Sequence, residues 1–373
     1  MVKAFHLKET LNSSSLSPIE EIRLEYNKIE LSNKNFTKID SEAFRNLTDL
    51  KSINLSSNYV ENLQCSLLFG LNELEAVDLS NNLLLRTIDA NLFGSCKNLV
   101  KLNLSSTDLK SIDNYFLFGL NKLNTLDLAH NKLSFLSAQH LRGLVSLEIL
   151  DLSFNYLSVI GSGLFQDLNS LKIMFLNNNQ ITEFNENVFQ GLSSLTKLNL
   201  SNNRTTHFDS YLFRNLKNLT NLDLSFNRID HLDKNLFHDL TNLTSIDLSA
   251  NLLSSIVGSL FENLKNLNYI SLSNNHLKSL PRDLFDGLDN LKKIDISFNK
   301  LESLDGYLFK NLIKLADLDL SHNKIKFLDV YIFHGLKGLN VIDLSYNKLS
   351  TFDGRLFKDL YSLLNVILEN NAF

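Results

Sequence analysis

Three aspartates, Asp295, Asp319 and Asp343, have the residue type and spacing that could support chemistry, because they recur at intervals of 24 residues. If the chain returns to the same direction after each interval, their carboxylates lie on neighbouring strands about 5 Å apart. Such an acidic ladder attracts a cation or a basic partner, and mutual repulsion raises the pKa of some of its members. The simpler interpretation, which we favour, is that Asp is the residue this repeat prefers, with Ser and the nearby Lys293 compensating the charge.

The remaining chemistry-bearing residues do not form a catalytic pattern. His130 and His322 occupy equivalent positions eight repeats apart, which is too far for shared ligation, and the sequence contains no triad, phosphate-binding loop or metal-ligand spacing. Cys65 and Cys96 are the only cysteines, and we expect free thiols rather than a bridge, Cys96 standing where the repeat places a core leucine. We therefore predict that the protein is not an enzyme and has no cofactor or metal.

The element that positions these residues is a 24-residue repeat, seen most clearly from Leu219 to Asn242. Leu222 and Leu224 alternate with polar residues, which predicts a strand with one buried face. A strand this short must pair with its equivalents in neighbouring repeats, so the strands stack in parallel. Asn227 ends the strand and points inward, where its amide bonds backbone groups of the adjacent bends.

Two further columns of residues recur in register with this repeat. The asparagine position is followed from Asn27 and Asn58 to Asn371, with Thr107 standing in once, and a buried phenylalanine position runs from Phe44 to Phe357. The interval after Asn27 is about seven residues too long, so we predict an inserted loop at Glu30–Thr37, and one extra residue falls within Leu83–Arg86. The fold class is an α/β solenoid of about 15 repeats with a parallel concave β-sheet.

The pattern LxxLxLxxNxLxxLxxxxFxxLxx, followed from Ile19 to Phe373, resembles the typical 24-residue class of leucine-rich repeats. Members include the extracellular domains of Toll-like receptors, chaoptin-like adhesion proteins and Slit-type proteins. The resemblance implies a horseshoe that recognises its ligand through the concave face. It differs from the family in lacking cysteine-rich caps. Residues 1–18 are expected to be a lead-in or partial cap, and residues 19–373 the repeat domain, whose last repeat is incomplete.

Composition limits the partners and the location. The net charge is −5 with 44% hydrophobic residues, which argues against nucleic acid as a partner. The segment MVKAFH begins no apolar run of signal-peptide length, and no stretch approaches the roughly 18 apolar residues of a membrane span. We expect an extracellular or cell-surface location if the chain is a fragment of a longer protein; the alternative is a cytoplasmic scaffold.

A break in the polar rhythm of the strands marks a candidate ligand-binding patch. Apolar residues occur on adjacent strands where most other repeats carry polar ones, and Phe175 takes the place of an Asp. Contiguous apolar surface with aromatic anchors is typical of partner sites. Random drift within the repeat remains the alternative, and the later phenylalanines extend the contact edge or pack against one another's loops. The candidate residues are Ile149, Phe154, Ile173, Phe175, Asn177, Phe226 and Phe298.

Glycosylation sequons are frequent, although an asparagine-rich repeat produces them by chance. Asn203 is predicted to be buried on the asparagine column and so not glycosylated, and Asn12 lies in the lead-in. The glycosylation candidates are Asn35, Asn46, Asn54, Asn103, Asn199, Asn218 and Asn242. We hypothesise a recognition ectodomain that binds a protein, a co-receptor or a glycolipid or glycan; the alternative is an intracellular protein-interaction scaffold.

Overall fold

The computed structural model describes residues 27–351 and 353–373, so the predicted lead-in, Asn12 and the apolar residues Ile19 to Leu24 lie outside the described residues. The described chain forms two compact units. The first unit comprises the residues up to Gln180 together with Asn187–Ser194. The second unit comprises Ile181–Glu186 and Leu195–Phe373.

The first unit contains a parallel sheet in which strands of successive repeats pair directly. Its strands are β1 Lys28–Glu30, β2 Ser52–Asn54, β3 Ala76–Asp78, β4 Lys101–Asn103, β5 Thr125–Asp127, β7 Ile149–Asp151 and β9 Ile173–Phe175. A second, two-stranded parallel sheet, which the periodicity does not predict, is formed by β6 Phe135–Leu136 and β8 Val159–Ile160. A 3₁₀ helix spans Cys65–Leu68.

The second unit repeats this arrangement, with strands again paired in parallel at 24-residue offsets. Its strands are β10 Lys197–Asn199, β11 Asn221–Asp223, β12 Ser245–Asp247, β13 Tyr269–Ser271, β14 Lys293–Asp295, β15 Asp317–Asp319, β16 Val341–Asp343 and β17 Asn365–Ile367. Two 3₁₀ helices span Gly258–Phe261 and Gly354–Phe357. The helices of the described residues are these three short turns.

Most of the three-residue strands bury their central residue and turn their first and third residues toward solvent; in β13 the third residue, Ser271, is buried as well, and in β17 the central Val366 is only partly buried. In β11, Leu222 is buried, whereas Asn221 is exposed and Asp223 is partly exposed. The core behind the strands contains the predicted phenylalanines, which stack between successive repeats with ring centroids 6.2 Å apart for Phe237 and Phe261. Burying one such side chain contributes on the order of 1.5–3 kcal/mol, so this column is a principal source of stability.

The asparagine column forms the predicted hydrogen-bonded ladder. The amide nitrogen of Asn227 donates to the carbonyl of Leu200 in the preceding repeat at 3.0 Å and to that of Leu224 at 3.1 Å. Its amide oxygen accepts the backbone N–H of Thr205 at 3.2 Å. The ladder residues thereby satisfy backbone groups that the bends bury, as expected for polar groups in a core.

The first described repeat corrects two sequence-based predictions. β1 pairs with β2 at the regular offset of 24 residues, Ile29 opposite Ile53, so Glu30–Thr37 is not an insertion. Asn27 precedes the strand in a left-handed turn (φ 61°) and is not on the ladder. Lys34 occupies the ladder position instead. Both predictions were wrong for the same reason. In the sequence, Asn27 follows an apolar segment at the spacing of a ladder residue, so it was assigned to the ladder and the interval to Asn58 appeared too long.

The extra residue predicted within Leu83–Arg86 is present, since Ala76 in β3 pairs with Lys101 in β4, an offset of 25 residues. It explains why Thr107 replaces asparagine. In other repeats the ladder asparagine accepts a backbone N–H from the preceding repeat, but here the N–H of Leu85 donates to the carbonyl of Asn82 at 2.9 Å. The longer bend therefore supplies the acceptor locally. The one hydroxyl hydrogen of Thr107 has two acceptors within reach, the amide oxygen of Asn131 at 2.5 Å and the Leu104 carbonyl at 3.1 Å.

Candidate interaction surface

The structure brings together the core of the predicted patch in the first unit. Ile149 of β7 lies directly opposite Ile173 of β9, and Asp151 lies opposite Phe175, which confirms that Phe175 occupies an aspartate position. All three apolar side chains are partly exposed on the solvent side of the sheet. We call the surface formed by Ile149, Ile173, Phe175, Phe154 and Asn177 the apolar patch.

The edge of the apolar patch is shaped by Phe154 and Asn177. Phe154 has left-handed backbone (φ 53°), and 44% of it is exposed. Its ring stacks on His130 of the preceding repeat with centroids 4.1 Å apart and planes at 11°. Its backbone N–H donates to the carbonyl of Asn177 at 3.0 Å, which ties the two residues together. One ring face of Phe154 is thus covered, and the rest is available for a ligand.

Phe226 and Phe298 belong to the second unit and differ in their surroundings. Phe226 is 58% exposed, and the equivalent residues of the adjacent repeats, Asn202 and Ala250, carry no ring. Phe298 stacks on His322 with ring centroids 3.9 Å apart. Phe298 therefore packs against the adjacent repeat, while 47% of it remains exposed.

The acidic ladder is assembled as predicted, because Asp295, Asp319 and Asp343 pair directly on β14, β15 and β16. Each carboxylate accepts the backbone N–H of the serine two residues later, and Asp295 does so from Ser297 at 3.0 Å. This local bond gives the aspartates a structural role at the strand end, consistent with the simpler interpretation. Within the two described segments, no group of three His, Cys, Asp or Glu side chains could hold a metal ion.

Burial is the main cause that raises the pKa of Asp319 above its ordinary value, while hydrogen bonds from Ser321 oppose the rise. Repulsion from Asp295 and Asp343 adds a smaller contribution in the predicted direction. Burial likewise raises the pKa of Asp247 and that of Asp127. The pKa values of these aspartates are therefore raised by desolvation more than by repulsion between neighbouring carboxylates.

Both cysteines are free thiols, as predicted. Cys96 is fully buried among the leucines, and burial raises the pKa of its thiol to about 12, which makes it unreactive in the folded state. Cys65 is exposed at the start of the first 3₁₀ helix.

The glycosylation candidates divide into two groups by position. Asn54, Asn103 and Asn199 lie at strand ends and are partly exposed. Asn54 and Asn103 also line a groove of about 360 Å³ over the sheet of the first unit. Asn35, Asn46, Asn218 and Asn242 are exposed in turns, and the amide of Asn242 donates to the Lys217 carbonyl at 3.0 Å. Asn203 is buried, as predicted.

One feature of the second unit escaped the sequence analysis. His322 stacks on Tyr346 as well as on Phe298, so three rings of consecutive repeats form a continuous stack. The lysines that follow the ladder asparagines of the same repeats, Lys300 and its two successors, form a parallel row. The identical spacing of the ring positions and of the lysine positions in the sequence was the signal that could have revealed both rows.

Comparison with known proteins places the chain in a family. The leucine rich repeat model matches residues 25–84, 97–157, 146–204, 193–253, 241–301, 289–331 and 314–373. The protein belongs to the leucine-rich repeat family, a fold that is typically a non-enzymatic binding scaffold. No curated protein matches the sequence. None of the helices in the described residues is long and apolar enough to cross a membrane.

Solved structures extend the comparison. The chain is 26% identical to Toll in the Drosophila Toll–Spatzle complex, with a TM-score of 0.83 over 92% of this chain and 47% of that one. It is 28% identical to the protein of the TLR13–ssRNA13 complex, with a TM-score of 0.76 over 88% of this chain and 48% of the other. A Leptospira interrogans leucine-rich repeat protein is 26% identical, with a TM-score of 0.72 over 92% and 90% of the two chains. The chain therefore spans about half the length of the Toll and TLR13 chains.

Proposed function

We propose that this chain is a non-enzymatic recognition module that binds a protein ligand through the solvent face of its sheet, as part of an extracellular or cell-surface protein. The single observation that supports the site is the apolar patch: Ile149, Ile173 and Phe175 meet on paired strands at positions where most other repeats present polar side chains. Apolar side chains clustered around an aromatic anchor are the usual centre of a protein interface.

Similarity to receptor ectodomains supports the location. Toll is similar in fold over most of this chain, and its structure is that of a complex with the protein Spatzle. The exposed sequons at Asn35, Asn46, Asn218 and Asn242 are compatible with passage through a secretory pathway. The alternative, an intracellular scaffold, predicts the same fold without glycans.

Photocrosslinking from the apolar patch tests the binding site. A benzoylphenylalanine placed at Phe154, which is 44% exposed, should capture one defined surface or secreted protein of the source organism. The same probe at Tyr211, which is 50% exposed in the second unit, is the control for non-specific capture. Capture of the same proteins with the same yield from both positions would refute the site.

A second variant tests the role of the patch in the interaction. Phe175→Asp places at this position the residue that Asp151 provides in the adjacent repeat. Asp151 accepts the backbone N–H of Ser153 at 2.8 Å, and the new aspartate can accept the N–H of Asn177 in the same way, so we expect folding to be preserved. We expect it to weaken the captured complex by at least about tenfold, the effect of losing an interface anchor. An unchanged affinity would contradict the proposal. The intact mass of the native protein before and after N-glycan removal tests the location, since no mass shift favours the intracellular scaffold.

A further inference from the structure

A row of three lysines lies along one flank of the second unit. Lys300, Lys324 and Lys348 each follow a ladder asparagine, and all three are exposed. Their backbone N–H groups donate to carbonyls of the preceding repeats at 2.8–2.9 Å, which holds the three residues in register. Stacked repeats place them about 4.8 Å apart at the backbone. None of the three lysines forms an ion pair within the described residues. The pKa of the neighbouring Glu302 is lowered chiefly by its hydrogen bond with Lys326, and Lys324 and Lys348 lower it further, so this carboxylate compensates part of the positive charge of the row.

A row of stacked rings runs beside these lysines. Phe298, His322 and Tyr346 precede the same ladder asparagines, all with left-handed backbone (φ 53–54°). Ring centroids lie 3.9 and 4.1 Å apart with planes within 10° of parallel. The rings therefore cover one another's inner faces, and the ring edges form the exposed surface. Aromatic edges carry partial positive charge, so this row adds to the positive character of the flank.

The two rows border a shallow groove that is wide open to solvent. The ring row, Lys348 and His276 line this groove, which has a volume of about 670 Å³, and Lys300 and Lys324 directly follow its lining residues Asn299 and Asn323. On the other side of the rings, separated by one row of serines, stand the carboxylates of the acidic ladder. The groove is thus lined by aromatic rings and flanked by lysines, and the carboxylates lie beyond its lining residues, toward the sheet.

We propose that this groove binds an extended acidic polypeptide segment in which carboxylates alternate with apolar side chains. An extended peptide sends successive side chains to opposite sides, so its carboxylates meet the lysine row while its apolar side chains meet the ring edges. A uniformly charged polyanion fits less well, because the acidic ladder repels it. Single-stranded nucleic acid binds by stacking bases on ring faces, and the inner faces of this stack are taken.

Fluorescence anisotropy with the full chain tests the proposal. The probe is a fluorescein-labelled peptide of about ten residues in which Glu alternates with Leu and Ser, long enough at roughly 3.3 Å per residue to cross the three repeats. The control is a matched peptide with Gln in place of every Glu. We expect the Glu peptide to bind at least about tenfold more tightly than the Gln peptide, and salt to weaken it.

Variants separate the groove from general surface charge. The triple variant Lys300→Gln/Lys324→Gln/Lys348→Gln should weaken Glu-peptide binding at least about tenfold. Its charge-matched control is Lys310→Gln/Lys337→Gln/Lys358→Gln, which alters three exposed lysines of the same unit and should change affinity less than about twofold. The triple variant Phe298→Asn/His322→Asn/Tyr346→Asn removes the three rings. Asparagine is compatible with this left-handed backbone, as Asn202 and Asn274 show at the equivalent positions, so the variant should fold and should bind the Glu peptide more weakly.

Three results would overturn the proposal. Equal losses in the two lysine variants would show that only overall charge matters. Heparin or poly(U) that displaces the peptide and binds the ring variant as tightly as the wild type would define a general polyanion site. Failure of the Glu peptide to bind better than its Gln match would show that the groove does not select carboxylates. Phe175→Asp lies in the other unit and should bind the Glu peptide as the wild type does, so this test stands apart from the proposed function.

Discussion

The asparagine ladder makes a quantitative prediction at Asn299, in the middle of the second unit. Its amide nitrogen donates to the carbonyls of Leu272 at 2.9 Å, Ser297 at 3.1 Å and Ile296 at 3.2 Å. Its amide oxygen accepts the backbone N–H of Leu277 at 3.0 Å. Asn299→Ala removes all four bonds, but their losses are not equal.

Each of the three carbonyls keeps a second donor. Leu272 still accepts from Asn275, and Ile296 from Asn323. Ser297 still accepts the backbone N–H of Asn274 at 3.0 Å. The N–H of Leu277 instead loses its acceptor in a buried position, which costs the desolvation of that group. We expect Asn299→Ala to lower the free energy of unfolding by about 2–4 kcal/mol, most of it from this one orphaned donor.

Denaturant unfolding followed by circular dichroism measures this loss. Amide hydrogen exchange at Leu277 locates it, which matters because repeat proteins can unfold in parts. The matched control is Asn290→Ala. Asn290 is partly exposed, donates to the Lys265 carbonyl at 2.8 Å and accepts from the Lys314 ammonium at 2.8 Å, and its loss should cost less than about 1 kcal/mol because solvent can replace these bonds. Equal losses in the two variants, or unchanged protection of the Leu277 amide in Asn299→Ala, would refute the reasoning.

Three further predictions concern other parts of the chain. Phe226→Asn should raise the free energy of unfolding by about 1 kcal/mol, because asparagine tolerates the left-handed backbone (φ 52°) and the ring that is lost is exposed. The control is Phe226→Val, whose β-branched side chain does not suit this backbone, and calorimetry should show a lower thermal midpoint for it. Burial raises the folded-state pKa of Asp319, so the folded wild type binds extra protons and loses stability as the pH rises through that pKa. In urea unfolding, Asp319→Asn should therefore become more stable relative to the wild type as the pH rises through the folded-state pKa of Asp319, whereas a difference that does not change with pH would contradict this interpretation. A thiol reagent should label Cys65 alone in the native protein and both cysteines in denaturant, since burial raises the pKa of Cys96 to about 12; labelling of both in the native protein would contradict the assigned core position.

Much of the architecture was predictable because the repeat encodes it locally. A buried residue between two polar ones, as in Asn221–Asp223, defines a strand wherever it recurs. The burial of Asn227 and Phe237 follows from the same period, since each needs only the equivalent residue of an adjacent repeat as its neighbour. The pairing of Ile149 with Ile173 was also predictable, because parallel strands in register bring equal positions together.

The chemistry of the candidate sites was less predictable. The type of residue at Asp319 indicated a charge cluster, but its hydrogen bond from Ser321 depends on how the chain bends after the strand. The positive φ at Phe154 and Phe298 is equally invisible in the sequence, since most repeats place different residues at that point. Only this backbone geometry sets the ring of Phe298 against His322.

The sequence by itself determined the 24-residue repeat, its strands, its ladder and its core, because these depend on residue type at a fixed spacing. Tertiary structure decided where the first described strand begins, since Asn27 resembles a ladder residue until Ile29 is seen to pair with Ile53. It also decided why Thr107 suffices on the ladder, because the N–H of Leu85 finds the Asn82 carbonyl only once the longer bend has folded. In both cases the deciding interaction is a backbone contact, and residue type alone does not specify which backbone groups meet.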